Sequence, residues 1–375
     1  MNEMKSIMDP RVANLRSKMA KYKVDILFCT SLRSLSYVAD IYQSLTWYVK
    51  TAVVLPASGD LFLSVPLSDR ARVEKETWIK DIRTWNPEFT GIEERKFEDI
   101  ITEFVRENRL EKGTLGIEGN LSWPLQKFLA DSFPEARLFT IDDLMEECMM
   151  IKDDHEIGLM PKAASVCVVG YEAARDNVKP GMTENELAGY MEIAMRRAGC
   201  TGYWVPNQVG TGETVLLDHY PSDAVISENH YVKVGVHGTY RLYHGDICNV
   251  MALGKPDPDY IRLCSACEEA SKRTIDAMRP GALSCDLFAV FYNTMAQKGY
   301  AGACNWYLGH GLGTGHQKPL ISPHDRTEIK ERMIIILNAL AQPEGKNGFI
   351  NEVMLLITAD GPELISHNPL GLVQL

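Results

Sequence analysis

N-W-Y-L-G-H-G-L-G-T-G-H-Q-K, from Asn305 to Lys318, is the stretch around which the rest of the chain is arranged. It holds His310 and His316, six residues apart, among Gly309, Gly311, Gly313 and Gly315. Glycine has no Cβ, so its backbone can approach a ligand or a neighbouring strand closely. Histidine changes charge near neutral pH and is a common metal ligand. Together they point to a site where the chain comes close to something. Spacing alone leaves open a glycine-rich turn with two structural histidines.

Working outward, the flanking sequence repeats itself. Ala173 to Cys200 and Arg273 to Tyr300 align at a constant offset of 100 residues without a gap. Pro180-Gly181 matches Pro280-Gly281, Glu186-Leu187 matches Asp286-Leu287, and Gly199 matches Gly299. In each copy a helix ends at a Pro-Gly turn and a second helix follows. Apolar runs then read as strands: Val232 to Val236 and Asp246 to Leu253 after the first copy, Met333 to Leu340 and Val353 to Ile357 after the second. Two helices plus a hairpin, used twice, predict a pseudo-twofold domain with a curved sheet covered by helices. A site is expected in the cleft between its halves.

The first part of the chain has a different pattern. Helical spacing over Arg11 to Lys23 is followed by apolar runs at Val24 to Cys29, Ala52 to Leu55 and Leu61 to Val65. Phe97 to Asn108 and Pro124 to Ser132 read as helices around a strand at Leu115 to Ile117. Strands alternating with helices predict an α/β domain over residues 1–150, with residues 151–375 as the second domain. Trp47, Tyr48 and Lys50 form an aromatic and charged cluster before a strand.

Composition narrows the function classes. The chain has 375 residues, 45% of them hydrophobic and 24% charged, and carries a net charge of -11. That acidity, with no basic stripe, argues against a nucleic-acid partner. No apolar run nears the roughly 20 residues that cross a membrane. The N-terminus lacks a secretory pattern, and nine scattered cysteines fit reduced thiols, so a cytoplasmic enzyme is expected. Cys264 and Cys267 form a single C-x-x-C on a helical stretch and read as packing.

These pieces carry a resemblance. M-I-K at Met150 to Lys152, Pro-Gly-Met-Thr-Glu at 180–184, G-H-G-L-G at 309–313 with His316, and the paired hairpins resemble the creatinase, aminopeptidase P, prolidase and methionine aminopeptidase family. The resemblance implies a creatinase-type α/β domain followed by a pita-bread domain. In the metallopeptidases of this family five side chains hold two ions: an Asp, a second Asp eleven residues on, the His of G-H-G, and two Glu of the last hairpin. Carried over, the second Asp falls on Asp246, the His on His310 and the last Glu on Glu352. The first Asp position holds Gly235, and the first Glu position holds Asn338. Two carboxylates that would offset ion–ion repulsion are gone.

The expectation is therefore a metal-independent hydrolase of a C–N bond in a small polar solute, an amidine or amide, in the manner of creatinase and ectoine hydrolase. No metal or other cofactor is expected. His219 matches the creatinase base, with His310, His316 and Glu352 as further catalytic groups. Asp246, Cys248, Trp204, Asn338 and Trp47 are expected to contact substrate, Cys248 being either a nucleophile or a buried filler. The W-Y-V-K segment, which includes Trp47, is expected to reach the cleft of a partner subunit in a homodimer. Two alternatives stand beside this. One is a mononuclear metal-dependent aminopeptidase, dipeptidase or lyase using Asp246, His310 and Glu352, with an oxygen from Asn338. The other is a non-catalytic binding module, which the retained histidines oppose.

Overall fold

The computed structural model describes residues 2–42, 50–86, 95–212, 215–216, 220–304 and 306–375, with side chains from residue 8 onward. Contacts divide the chain into two units, Met1–Met149 and Met150–Leu375.

The first unit is a mixed sheet covered by helices. Its strands are β1 (Ile26–Cys29), β2 (Ala52–Pro56), β3 (Phe62–Pro66), β4 (Ile82–Trp85), β5 (Thr114–Ile117) and β6 (Arg137–Thr140), in the order β4-β3-β2-β1-β5-β6. Its helices are α1 (Asn2–Tyr22), α2 (Leu32–Ala39), α3 (Arg70–Glu76), α4 (Phe97–Glu107), α5 (Trp123–Ser132) and α6 (Asp142–Met149). β1, β2 and β3 are buried at every residue, as continuous apolar strands covered on both faces are. α1 and α6 share one apolar cluster with Leu27, Val53 and Leu55, while α4 and α5 share another with Ile26, Phe28 and Val54. β4 and β6 escape a reading of apolar runs because they are short and largely half-exposed.

In the second unit the duplication is plain. Helix α7 (Asp154–Asn177) leads to α8 (Glu184–Arg197), and α9 (Pro258–Ala277) leads to α10 (Ser284–Gln297). The turns before α8 and α10 both need positive φ, at Gly181 (91°) and Gly281 (93°). The Gly181 N–H donates to the Ile226 carbonyl, and the Gly281 N–H donates to the Ile329 carbonyl. Isolated bridges Thr183–Val225 and Leu283–Glu328 repeat the correspondence.

The large sheet runs β14 (His316–Ile321), β13 (Gly309–Leu312), β15 (Ile334–Ala341), β16 (Phe349–Thr358), β12 (Ile247–Ala252), β9 (Tyr231–Val236), β8 (Gln208–Thr211). β17 (Gly361–Leu364) and β18 (Val373–Gln374) flank β16 and β12, and β7 (Gly202–Tyr203), β10 (Gly238–Tyr240) and β11 (Tyr243–His244) form a small separate sheet. α7 and α8 pack on Val232, Val234, Val236, Ile336 and Met354. α9 and α10 pack on Val250, Ile335, Leu337, Val353 and Leu355. Each such side chain contributes about 1.5–3 kcal/mol on full burial. The successive β15 residues Ile335, Ile336 and Leu337 thus serve the two cores in turn, as strand alternation requires.

Strand pairing lays one row across four strands. Gly235 lies opposite Cys248, Cys248 opposite Glu352, and Glu352 opposite Asn338. Cys264 and Cys267 sit in the α9–α10 core, and burial pushes the Cys264 thiol up to about 12. None of the nine cysteines is joined in a disulfide. Among the described residues no helix is long and apolar enough to cross a membrane.

Candidate metal-binding active site

The site begins with the close packing of β13. A Cβ on Gly311 would stand 2.2 Å from the Lys318 carbonyl oxygen, and one on Gly309 would stand 2.0 Å from that of Ile336. Only residues without a side chain fit on either side of His310, so the histidine is wedged between β14 and β15 and buried. A register shift between His310 and Gly311 brings β14 back so that His316, at its start, stacks on His310 with ring centroids 3.8 Å apart. His316 itself is exposed.

The ring of His310 is oriented from behind. Its Nδ1 lies 3.0 Å from the Gly311 carbonyl, which can only accept, so Nδ1 carries the hydrogen and Nε2 the lone pair. Nε2 faces Asp246 Oδ2 at 3.6 Å. Burial first, then the neighbouring His316 ring, push the His310 pKa down to about 3, against the pull of the Gly311 carbonyl. A neutral His310 suits a lone-pair donor and does not suit the imidazolium stabiliser that a metal-free mechanism would ask of it.

Asp246 is buried just ahead of β12, and its other oxygen meets a second imidazole. His237, immediately after β9, places Nε2 3.6 Å from Asp246 Oδ1. Its Nδ1 is 2.9 Å from the Pro206 carbonyl, which assigns the same tautomer as in His310. Its backbone N–H donates to Asn207 Oδ1. Donor atoms of His237, Asp246 and Glu352 all lie within 4.8 Å of one another, as do those of Asp246, His310 and His316. Asp246 belongs to both groups. Asn338, opposite Glu352, has a buried Oδ1 without a hydrogen-bond partner among the described residues.

An aromatic wall closes one side. Trp204 stacks on His244 at 5.1 Å and meets His237 and His316 edge-on at 5.3 and 4.8 Å. Its Nε1–H donates to the Gly245 carbonyl. The structure therefore gathers His310, His316, Asp246, Glu352, Trp204 and Asn338. Cys248 takes its place in the row, but it is buried within the α9–α10 apolar core. His219 and Trp47 fall outside the described residues. Lys50 is engaged within its own unit, paired with Glu98.

His237 and His244 are the residues that motif reading missed. His237 was legible as the same-face neighbour of Gly235 in V-K-V-G-V-H-G, since strand side chains alternate. His244 left no such signal.

This donor set fits a divalent cation. The donors of His237 and Glu352 converge with Asp246 in one group and those of His310 and His316 converge with it in another, and two buried carboxylates this close repel one another at low dielectric unless positive charge lies among them. Two carboxylates neutralise one divalent ion. A second ion would leave two positive charges unbalanced.

Comparison with known proteins gives the family. Residues 158–359 match the Metallopeptidase family M24, and residues 11–151 match the Creatinase/Prolidase N-terminal domain. An Xaa-Pro dipeptidase of Pyrococcus furiosus is 28% identical over 255 residues, which is 68% of this chain and 73% of the relative. Among solved structures, the Xaa-Pro dipeptidase from Bacillus anthracis has a TM-score of 0.87 at 22% identity, covering 98% of this chain and 100% of that one. The prolidase from Thermococcus sibiricus has a TM-score of 0.88 at 20% identity, covering 98% and 99%. These two structures speak for the fold alone.

The metal-independent hydrolase of non-peptide C–N bonds expected from the sequence is thereby overturned. The curated relatives that the chain matches include Xaa-Pro dipeptidases of two Pyrococcus species. The expectation rested on the two carboxylates missing at Gly235 and Asn338, and it did not weigh the buried His237 that the structure places beside Asp246. With more than half of its length matched, the chain belongs to the Metallopeptidase family M24.

Proposed function

We propose that the protein is a metal-dependent hydrolase of short peptides, of the dipeptidase kind, using one divalent ion held around Asp246. The observation that carries this reading is the placement of Asp246 between two imidazoles whose Nδ1 atoms are tied to backbone carbonyls. That is the arrangement of ligating histidines fixed by outer contacts. The names of the curated relatives supply the substrate class.

Asp246 and Glu352 would hold the ion, with His310 at the second Asp246 oxygen and Asn338 opposite Glu352 across the strand pair. Such an ion, when bound, polarises a carbonyl and lowers the pKa of a water. The remaining work falls to this chain's side chains. His316, exposed and stacked on His310, can carry a proton on a ring nitrogen to the departing amine as the peptide C–N bond breaks. Trp204, half-buried and stacked on His244, lines one side of the site and gives a substrate side chain an apolar neighbour.

The test is hydrolysis of a panel of Xaa-Pro and other dipeptides by the full chain. Activity should vanish on chelator stripping and return with one equivalent of ion. Undiminished turnover by a chain shown to be ion-free would overturn the reading.

A further inference from the structure

We infer that His237 is a metal ligand standing in for the carboxylate absent at Gly235, and that it tilts the site toward a borderline ion of the zinc type over manganese or magnesium. The inference rests on the functional reading above and adds to it the ligand and the class of ion.

Residues 235 and 237 share one face at the end of β9, because side chains alternate along a strand. A Cβ on Gly235 would stand 3.0 Å from His237 Cε1. The imidazole thus fills the space that a side chain at 235 would need, so one group replaces the other. Three contacts fix the ring: Nδ1–H on Pro206 O, the backbone N–H on Asn207 Oδ1, and the edge of Trp204. With those in place Nε2 points at Asp246 Oδ1, 3.6 Å away. That is long for a hydrogen bond. Two donors each about 2.0–2.2 Å from a shared ion stand roughly 3–3.5 Å apart, close to what is seen.

The donors also decide the class of ion. With His237 counted, two imidazoles, His237 and His310, flank Asp246, and Glu352 joins His237 and Asp246. Imidazole favours later first-row ions, while carboxylate oxygens suit manganese and magnesium. A fixed cation further opposes a second ion. Lys233, on the same face of β9 and fully buried, donates to Gln208 Oε1, an atom 3.4 Å from the Cβ position at Gly235.

The experiment is calorimetric titration of the chelator-stripped full chain with Zn²⁺ alone and with Mn²⁺ alone. Wild type is compared with His237→Ala and with Gly235→Asp/His237→Gly, and apo melting curves report folding. His237→Ala should weaken Zn²⁺ about 10- to 100-fold and Mn²⁺ less, narrowing the preference. The double variant restores a carboxylate and should gain Mn²⁺ affinity relative to Zn²⁺. It decides the matter alone if His237→Ala fails to fold. An unchanged Zn²⁺-to-Mn²⁺ ratio in the folded variants overturns this inference while the functional reading stands. A folded wild type that takes up neither ion overturns both.

Discussion

The hairpin around β9 and β12 and the hairpin of β15 and β16 occupy equivalent places in a duplicated unit, and each holds one carboxylate and lacks another. The first keeps Asp246 and has Gly235; the second keeps Glu352 and has Asn338. They fill the gap differently. The first brings in an imidazole two residues along the strand, tied to Pro206 and Asn207. The second offers a neutral amide whose oxygen finds no partner among the described residues. The turns that precede α8 and α10 in the two halves have diverged far less: Gly181 and Gly281 have φ of 91° and 93° and equivalent N–H donations. Backbone hydrogen bonds ask nothing of side chains, so the scaffold persists while the donors at the seam change.

The comparison can be broken most severely at Asp246, which both donor groups share. Asp246→Asn should remove the bound ion and lower kcat/KM by more than about 100-fold, beyond what an outer contact is worth. Metal analysis of the folded variant alongside dipeptide turnover checks it. Next, Asn338→Glu gives the second hairpin its carboxylate and should raise Mn²⁺ affinity on the order of tenfold, read by calorimetry. A variant that binds Mn²⁺ no better would mean that Asn338 does not face the ion.

Smaller effects separate the scaffolds of the two halves. Glu184, fully buried, accepts from Thr211 N, Ser222 N and Ser222 Oγ. In the second half Asp325 accepts from Leu320 N, Thr327 N and Thr327 Oγ1, and it is half-exposed. Glu184→Gln should destabilise by about 2–3 kcal/mol and Asp325→Asn by about 1 kcal/mol in denaturant titrations. The smallest effect concerns pH. Partial burial alone would raise the Asp325 pKa, but donors from Thr327 and Leu320 outweigh it and hold the carboxyl below its ordinary 3.8. A depressed folded pKa contributes stability above the unfolded value and loses it as pH falls. The stability gap between wild type and Asp325→Asn should therefore close as pH drops below 3.8.

Legibility from sequence followed the same division. The constant offset from Pro180-Gly181 to Pro280-Gly281 reveals the duplicated unit, because a turn demanding positive φ constrains residue type. G-H-G at 309–311 reveals the close strand packing for a related reason. The half-exposed strands β4 and β6 left no periodic signal. The donor set was harder, since a motif names positions and chemistry needs only atoms in space. His237 serves the place of Gly235 from the next same-face position, and His244 reaches Trp204 through a fold that no local pattern announces.

The account stands most directly on the number of ions. Titration of the chelator-stripped full chain with Zn²⁺ should saturate at one tightly bound ion per chain, because Asp246 and Glu352 balance one divalent charge and Lys233 opposes a second. Two tight ions per chain, or none, would contradict it.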